Sequence, residues 1–528
     1  MKKASGSYYT PAALADFLLS KALRHVEALQ PLDVLEPSCG DGAILSAIER
    51  SGCHQRFSID AIEVNKAAIK KAKNLIGGCG SATFYNADFL SFTPRQKYQL
   101  AIGNPPYIRR KLLKDKQRTY CRKIHTEAHL SDRAINNIWT AFLIKSAQHL
   151  TSDGVLALVL PSELLQVKFA QEVQTFLKNH FARIEIYTFK EIVFDTLGQD
   201  IVALVACRKS SEPGVYFGQV DNLSNAVTSP PTLIRSKSVE TSDMKWSGYI
   251  LSDSDSAFLL EIASRIKPIS NYCNSCAGIV TAANDFFVLS KKKRRQYALA
   301  RFCKPIVQRG QFVNGSVVFD STAFGKILKD GKPCFLLDFT GKKLKDLNKG
   351  ALRYLDCGRK ASIHKRFKCV QRNRWYDVPS VWSSHAFFFK RCHLYPKLLL
   401  NTMNVLVTDA AYRVTVKREF SVSSLVFSFY NSLTLAMAEL KGRFYGGGVL
   451  ELTPNEFKSL PIPYMEISES DFVDFQKRFN LAGNIQKTLD GNDEAILRRV
   501  LKLMPEEIRR LQEIRKKLVE RRIRGSCV

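Results

Sequence analysis

Long apolar runs are absent from the sequence. The longest, such as residues 155–160, have the length of buried strands, whereas a helix that spans a bilayer needs about 20 apolar residues. Residues 4–11 are polar and contain nothing like the apolar core of a signal peptide. The sequence therefore predicts a cytoplasmic protein that neither spans a membrane nor is exported.

Acidic residues are scarce. The 528 residues include 79 Lys and Arg against 49 Asp and Glu, which gives a formal net charge of +30. Solubility alone does not require so large an excess, and a polyanionic partner is the simplest physical reason for it. Nucleic acid is the first candidate, and an anionic membrane surface is the second.

The thirteen cysteines form no disulfide framework. Many lie within apolar runs, such as Cys207 after Val205 and Ala206, which is typical of small buried side chains in a reducing compartment. Cys273 and Cys276 have zinc-knuckle spacing, but no second pair or His-x-x-x-His partner follows nearby. We therefore predict no metal site.

The first 210 or so residues alternate short apolar runs with longer amphipathic stretches, as in parallel strands joined by helices. We predict an α/β fold with a mostly parallel sheet of seven strands, the last two of which form an antiparallel hairpin at one end of the sheet. The predicted strands are 32–36, 57–63, 82–85, 98–103, 154–160, 182–189 and 200–207. The predicted helices are 11–29, 41–51, 65–76, 136–150 and 162–180.

A domain boundary is expected where the sequence becomes rich in Ser, Pro and Asn, between residues 210 and 245. We predict a first domain over 1–240, a second over 241–465 and a basic helical tail over 466–528. The second segment has short, irregular hydrophobic runs, and its fold cannot be derived from pattern alone.

A candidate cofactor pocket begins after the first predicted strand, where Gly40 and Gly42 allow backbone to approach a ligand closely. The next strand ends at Glu63, at the spacing where a carboxylate usually binds the hydroxyls of a ribose. Glu36 and Asp41 beside the turn repel phosphate but suit a cation. The pattern thus favours S-adenosylmethionine, which carries a sulfonium and an ammonium group, over a dinucleotide.

The third strand leads to Asp88 and Phe89. Asp88 is positioned to accept a hydrogen bond from the adenine amino group of the cofactor, and Phe89 to cover its ring. The alternative is that Asp88 only caps the following turn.

The fourth strand is followed by Asn104-Pro105-Pro106-Tyr107. The Asn104 side chain and the Pro105 carbonyl can accept both hydrogens of an exocyclic amine and turn its lone pair toward a methyl donor. Tyr107 offers a face on which a base can stack. The alternative is an ordinary turn at the end of a strand, because Asn and Pro are common turn residues.

Together these motifs resemble those of the gamma-class adenine-N6 DNA methyltransferases of TaqI type, from type II restriction-modification systems. The resemblance implies a Rossmann-like S-adenosylmethionine-dependent domain, base flipping, and direct transfer without a covalent enzyme intermediate. It also nominates Phe194, in Ile192-Val193-Phe194-Asp195, as a second aromatic residue against the flipped adenine, although a buried core residue is the alternative. The implied cofactor-binding residues are Thr10, Glu36, Pro37, Cys39, Gly40, Asp41, Gly42, Glu63, Asp88 and Phe89. The implied catalytic residues are Asn104, Pro105, Pro106, Tyr107 and Phe194.

The second half also resembles this family, in blocks at residues 278–287 and 443–452 that look like the two ends of a mixed α+β target-recognition domain. The resemblance implies double-stranded DNA as partner, a separate cognate restriction endonuclease, a monomeric enzyme and a prokaryotic cytoplasm. Basic and aromatic clusters could follow phosphates, although each alone is typical of a solvated face. The candidate DNA contacts are Lys292, Arg294, Lys365, Arg366, Arg374, Trp375, Arg443 and Tyr445.

Other functions share parts of this pattern. Methyltransferases of protein glutamine and of ribosomal RNA guanine use the same Asn-Pro-Pro-Tyr loop, but they resemble the first half only. A DNA-binding specificity subunit with a relic catalytic domain would show erosion of the loop or pocket. For a nuclease fused to the chain, the sequence offers only the acid-x-Lys element Glu456-Phe457-Lys458. No acidic partner for it lies on a convincing strand.

Overall fold

The computed structural model describes residues 10–26, 31–51, 57–75, 82–191, 193–194, 200–241, 245–313, 315–445 and 447–523. The chain forms two compact units. The first comprises Met1–Ser256 with Tyr445–Gly447, and the second comprises Ala257–Phe444 with Gly448–Val528. Across the described ranges, no helix combines the length and the apolar character that crossing a bilayer requires.

The first unit is built on a nine-stranded sheet. Its strands are β1 (Leu32–Glu36), β2 (Phe57–Glu63), β3 (Ala82–Asn86), β4 (Tyr98–Gly103), β5 (Leu150–Pro161), β6 (Arg183–Phe189), β7 (Ile201–Cys207), β8 (Gly214–Val220) and β9 (Ile234–Arg235). Its helices are α1 (Ala12–Leu23), α2 (Ala43–Arg50), α3 (Lys66–Leu75), α4 (Asp115–Glu127), α5 (Trp139–Gln148), α6 (Glu163–Gln166), α7 (Ala170–His180) and α8 (Lys237–Thr241), and α9 (Asp253–Ser264) follows at the boundary.

The strand order is β3-β2-β1-β4-β5-β7-β6-β8-β9, with β1 to β5 parallel and β7 antiparallel to both β5 and β6. The predicted Rossmann-like fold is confirmed. Strand β7 is a continuous apolar run, and so is β5 from Val155, because both are buried inside the sheet. Strand β6 is also buried, although it carries Arg183, Glu185 and Thr188. The order reverses beside β1, so the carboxyl ends of β1 and β4 border the crevice where open α/β sheets bind ligands.

The first unit differs from prediction both in its sheet and in its helices. The antiparallel strand β7 lies inside the sheet rather than at its end, and two further strands, β8 and β9, extend the edge. Both come from the segment expected to be a boundary, where Gly214 and Gly218 interrupt the apolar pattern of β8. The predicted helix 162–180 is broken into α6 and α7, and α4 was not predicted.

The second unit is mixed α+β and contains three small sheets. Its strands are β10 (Cys273–Ala277), β11 (Val288–Leu289), β12 (Cys303–Val307), β13 (Val318–Phe319), β14 (Phe335–Leu337), β15 (Ala386–Phe389), β16 (Arg391–Cys392), β17 (Leu398–Asn401), β18 (Leu406–Val407), β19 (Ala411–Val416), β20 (Arg443–Tyr445) and β21 (Val449–Glu451). Its helices are α10 (Asn284–Phe287), α11 (Lys291–Gln296), α12 (Ser321–Lys329), α13 (Lys349–Lys360), α14 (Phe367–Val370), α15 (Val422–Phe429), α16 (Ser432–Lys441), α17 (Pro454–Lys458), α18 (Glu469–Ala482), α19 (Ile485–Leu501) and α20 (Pro505–Ile523).

The C-terminal segment is helical, as predicted, and packs within the second unit. Apolar side chains at helical spacing, including Ile496, Leu511, Ile514 and Leu518, are fully buried. Val500 is 37% exposed and Leu501 is half-buried. The amphipathic period therefore marked the buried face of this segment correctly at most positions.

Candidate active site

A glycine turn joins β1 to α2 at the carboxyl edge of the sheet. Gly40 and Gly42 have φ of +54° and +91°, in the left-handed region that favours glycine. A Cβ at Gly42 would lie 3.0 Å from both the Cα and the Cβ of Ala72 on α3. The Cys39 amide donates to the Ile62 carbonyl at 3.0 Å, which ties the turn to β2. The backbone conformation of the turn therefore favours glycine at both positions, and the close packing on α3 also requires it at Gly42.

Glu63, at the end of β2, lies against this turn. Its Oε2 accepts a hydrogen bond from the Gly40 amide at 3.0 Å, and its Oε1 accepts one from the Asn65 amide at 2.8 Å. The carboxylate is therefore fixed in direction at the crevice by two backbone donors.

Glu36, at the end of β1, is 2% exposed, and its buried Oε2 has no hydrogen-bond partner among the described residues. Burial, followed by the negative charges of Glu63 and Asp41, raises the pKa of the Glu36 carboxyl to about 8. Burial also raises the pKa of Asp41. An unpaired buried carboxyl in an acidic pocket is costly alone and becomes favourable when a cation or donor binds beside it.

Asp88 and Phe89 lie in the turn that follows β3. The Asp88 Oδ1 accepts a hydrogen bond from the Leu90 amide at 3.0 Å and so caps the turn, while its contact with the cofactor stays a prediction. Phe89 is 1% exposed and packs on Phe142, with ring centroids 5.2 Å apart. In this structure the Phe89 ring lies in the core, and its contact with a ligand stays a prediction.

Lys145 on α5 holds the turn after Asp88 and was not predicted. Its ammonium donates to the carbonyls of Leu90 and Phe92 at 3.0 and 2.5 Å and lies 5.1 Å from the Phe89 ring centroid. Burial lowers the pKa of Lys145 to about 8. In the sequence, this contact was signalled by a lysine within the otherwise apolar stretch that forms α5.

The Asn104 side chain is held from two sides. Its Nδ2 donates to the Thr10 Oγ1 at 3.2 Å, and its Oδ1 accepts a hydrogen bond from the Tyr107 hydroxyl at 2.8 Å. The Ser38 hydroxyl, which was not predicted, donates to the Asn104 carbonyl at 3.1 Å. These contacts bring together three segments far apart in sequence and fix the direction of the amide.

Tyr107 turns its hydroxyl inward, where the Val159 carbonyl lies 3.1 Å away, and burial raises the pKa of Tyr107 well above its ordinary value. The phenol therefore stays neutral and acts as a donor. Phe194 is 7% exposed and belongs to the same hydrophobic cluster that Tyr107 packs against. Its neighbours Ile192 and Asp195 lie outside the described residues.

The prolines stiffen the loop at its start. Pro105 is buried and Pro106 is half-buried. A Cβ at Gly103, the last residue of β4, would lie 3.3 Å from Cδ of Pro37, so the glycine lets the loop and the turn after β1 approach closely.

Comparison with known proteins identifies the family. Residues 46–194 match the Eco57I restriction-modification methylase family, and residues 243–497 match the C-terminal domain of the type II methyltransferase M.Eco57I. The two matches together cover more than half of the chain. The chain belongs to the type II methyltransferases of restriction-modification systems.

Relatives agree with this family. The chain is 22% identical over 479 residues to the type II methyltransferase M.AccI of Acinetobacter calcoaceticus, a match that covers 86% of this chain and 84% of that one. It is 28% identical over 196 residues to M.TthHB8I of Thermus thermophilus, covering 35% and 41% of the two chains. The fold is similar to that of the type IIL restriction-modification enzyme MmeI, solved in complex with DNA, with a TM-score of 0.59, 12% identity, and coverage of 96% and 75%.

Most of the predicted DNA contacts in this methyltransferase make intramolecular contacts in the second unit. The Arg294 guanidinium lies 4.3 Å from the Phe335 ring centroid, Arg374 pairs with Asp377 at 2.7 Å, and Trp375 packs on Phe286. Arg366 pairs with Asp285 and Arg443 with Glu456, each at 3.2 Å. Tyr445 is half-buried. Lys292 and Lys365 are exposed and form no ion pair within the described ranges.

The second unit contains the two motifs considered above as a nuclease element and as a zinc-binding pair. Glu456 lies in α17, where it accepts a hydrogen bond from the Thr453 amide as part of a capping box, and Phe457 is fully buried. Cys273 is buried whereas Cys276 is exposed. Among the described residues, no group of three or more His, Cys, Asp and Glu is arranged to hold a metal ion.

Proposed function

We propose that the chain transfers a methyl group from S-adenosylmethionine to the N6 amine of adenine in double-stranded DNA, at a specific sequence. The observation that carries the proposal is the Asn104 amide, fixed by Thr10 and Tyr107 at the carboxyl end of β4. The family match and the resemblance to gamma-class enzymes support it.

The chemistry follows from the direction of the amide. With Nδ2 donating to Thr10, the Oδ1 of Asn104 acts as the acceptor, and Tyr107 engages one of its two lone-pair directions. The target amine donates to the same oxygen and to the Pro105 carbonyl. Both acceptors draw the amine hydrogens to one side, so the nitrogen lone pair is directed to the other.

The pocket beside Asn104 fits a cationic cofactor. When bound, S-adenosylmethionine supplies an electrophilic methyl group on sulfur. Glu36, with its unpaired buried oxygen, suits the ammonium group, and Glu63 suits the ribose hydroxyls. At Gly42 the absent side chain makes room for Ala72 of α3.

The reaction requires that the adenine leave the helix, because its amine is otherwise paired and stacked. We assign Tyr107 and Phe194 to the two faces of the extruded base. We also propose that 1–240 performs catalysis, 241–465 reads the sequence with the tail at 466–528, and a separate endonuclease cleaves unmodified DNA. The enzyme acts as a monomer in a prokaryotic cytoplasm.

Sequencing genomic DNA from cells that express the protein, with modified-base detection, tests this function. N6-methyladenine at one recurring sequence is expected. Its absence alongside methylated glutamine in protein or guanine in ribosomal RNA would contradict the proposal.

Glu63→Ala is expected to weaken cofactor affinity about tenfold, or roughly 1.4 kcal/mol, because charged hydrogen bonds to the ribose are lost. Calorimetry on the full chain measures the affinity. Because Glu63 also holds the Gly40 amide, Glu63→Gln serves as the control that keeps one acceptor beside the turn. Equal affinity for wild type and Glu63→Ala would remove Glu63 from the site.

Cofactor affinity is expected to rise roughly 20-fold between pH 6 and 7.5, as the ionised fraction of Glu36 increases. The pKa of Glu36 is raised to about 8, so in this range the carboxyl is mostly protonated, while the bound cation favours the carboxylate. Binding therefore releases a proton and strengthens as pH rises. Calorimetry in two buffers of different ionisation enthalpy measures the release. Glu36→Gln should remove both effects, and an unchanged pH dependence in that variant would refute the assignment.

A further inference from the structure

Phe367 at the start of α14 is an exposed aromatic residue in the second unit. Its exposure is 77%, and Val370 on the same short helix is 65% exposed. Every other phenylalanine in the described ranges is buried or half-buried. Single exposed apolar side chains are common on protein surfaces, so the surroundings of Phe367 decide whether it has a partner.

The segment that carries Phe367 is held firmly. Ile363 and Cys369 on either side are buried. The guanidinium of Arg366 makes two hydrogen bonds to the Asp285 carboxylate, at 3.2 and 3.3 Å, and a third to the Ala282 carbonyl at 3.3 Å. The aromatic ring is thus presented to solvent from a fixed backbone.

The immediate surroundings of Phe367 are cationic. Lys365 and Lys368 are exposed and form no ion pair in the part of the chain that the structure describes, while Asp285 is matched by Arg366. A docking site for a protein would be expected to surround the ring with apolar side chains, whereas here Val370 is accompanied by two exposed lysines, and lysine is depleted from the centres of such interfaces. Lysines beside a protruding ring instead fit a polyanion with stackable groups.

Phe367 also lies along a run of clefts in the second unit. It lines a cavity of about 490 Å³ together with residues 280–284. Val280 and Lys368 are shared with a neighbouring cavity of about 750 Å³, and Asp409 is shared with a cleft of about 1350 Å³. Basic residues line all three, including Arg366, Lys368, Arg372 and Arg391.

We infer that Phe367 is a wedge that inserts between base pairs of duplex DNA, with Lys365 and Lys368 on the adjacent phosphates. Apolar side chains inserted in this way unstack one base step and kink the duplex, and the bend brings more of the protein surface into contact. The inference rests on the proposed function, because it requires that the enzyme bind double-stranded DNA.

Fluorescence anisotropy with a 30-base-pair duplex containing the methylated sequence tests the wedge, and energy transfer between dyes at the duplex ends reports bending. Phe367→Ala is expected to weaken binding about tenfold and to reduce the bend, whereas Phe367→Trp retains both. Lys368→Ala is expected to lower the slope of log affinity against log salt by about one. Leu481→Ala is the matched control, because Leu481 is 85% exposed in the same unit and lines none of the three cavities.

The outcomes separate the wedge from the proposed function. If wild-type protein methylates and bends DNA, and Phe367→Ala matches it in affinity and bend, the wedge is overturned and the methyltransferase activity stands. That result is also the one expected if Phe367 docks a protein. If the wild-type chain neither binds nor methylates DNA, both proposals fail.

Discussion

Asn104→Ala is expected to lower kcat for methyl transfer by about 10³-fold while cofactor and DNA affinities change little. The Asn104 Oδ1 is held beside the crevice by its amide contact with Thr10 and by the Tyr107 hydroxyl. Its hydrogen bond to the amine strengthens as the nitrogen becomes tetrahedral, so its loss affects the transition state more than the bound ground state.

Single-turnover transfer of labelled methyl groups to DNA measures this effect, together with separate titrations of cofactor and duplex. Asn136→Ala provides a matched control, since Asn136 is an exposed asparagine of the same unit that hydrogen-bonds the Arg133 carbonyl. A near-normal kcat for Asn104→Ala would end the proposed mechanism. A parallel loss of DNA and cofactor affinity would instead indicate a structural role for Asn104.

Much of the catalytic half could be predicted because its local patterns agree with its fold. Strands β1, β2 and β4 were predicted at their observed bounds, since each is a short apolar run followed by turn residues. The glycine turn and the Asn-Pro-Pro-Tyr loop follow two such strands that pair directly in the sheet. Parallel pairing places both at the same edge, so motifs separated in sequence meet in one crevice.

The second half resisted prediction because its strands are short and pair over long distances. Strand β10 pairs with β19, more than 130 residues later, and β13 pairs with β17. Strands of two to five residues, such as β11, β13 and β18, carry too little alternation to be distinguished from loops. Their positions are determined by tertiary packing rather than by local propensity.

The direction of individual side chains was the second property that could not be predicted from the sequence. A run of basic residues does not say which members face solvent, and Arg294 and Arg374 turn toward Phe335 and Asp377. The hydrogen bonds of Ser38 and Thr10 to Asn104 also depend on how separate segments meet. Exposure of Phe367, within one of the predicted basic clusters, is likewise visible only in the folded chain.

A buried ion pair joins the last helix to the rest of the second unit. The guanidinium of Arg522 makes hydrogen bonds of 2.7 and 2.9 Å to the Glu439 carboxylate, and the two side chains are 0% and 2% exposed. Arg522 also donates to the carbonyls of His393 and Gly448. One side chain of α20 therefore satisfies a charge and backbone acceptors that have little access to water.

Arg522→Ala is expected to destabilise the second unit by about 3–5 kcal/mol, because it leaves the buried Glu439 charge without a partner. Urea unfolding followed by far-UV circular dichroism measures the change. Arg509→Ala is the control on the same helix, where an ion pair to Glu506 at 4.0 Å is largely exposed and its loss should cost at most about 1 kcal/mol. Adding Glu439→Gln to Arg522→Ala removes the unpaired charge and should restore part of the lost stability. If Arg522→Ala unfolds at the same urea concentration as Arg509→Ala, the ion pair does not anchor the C-terminal helix.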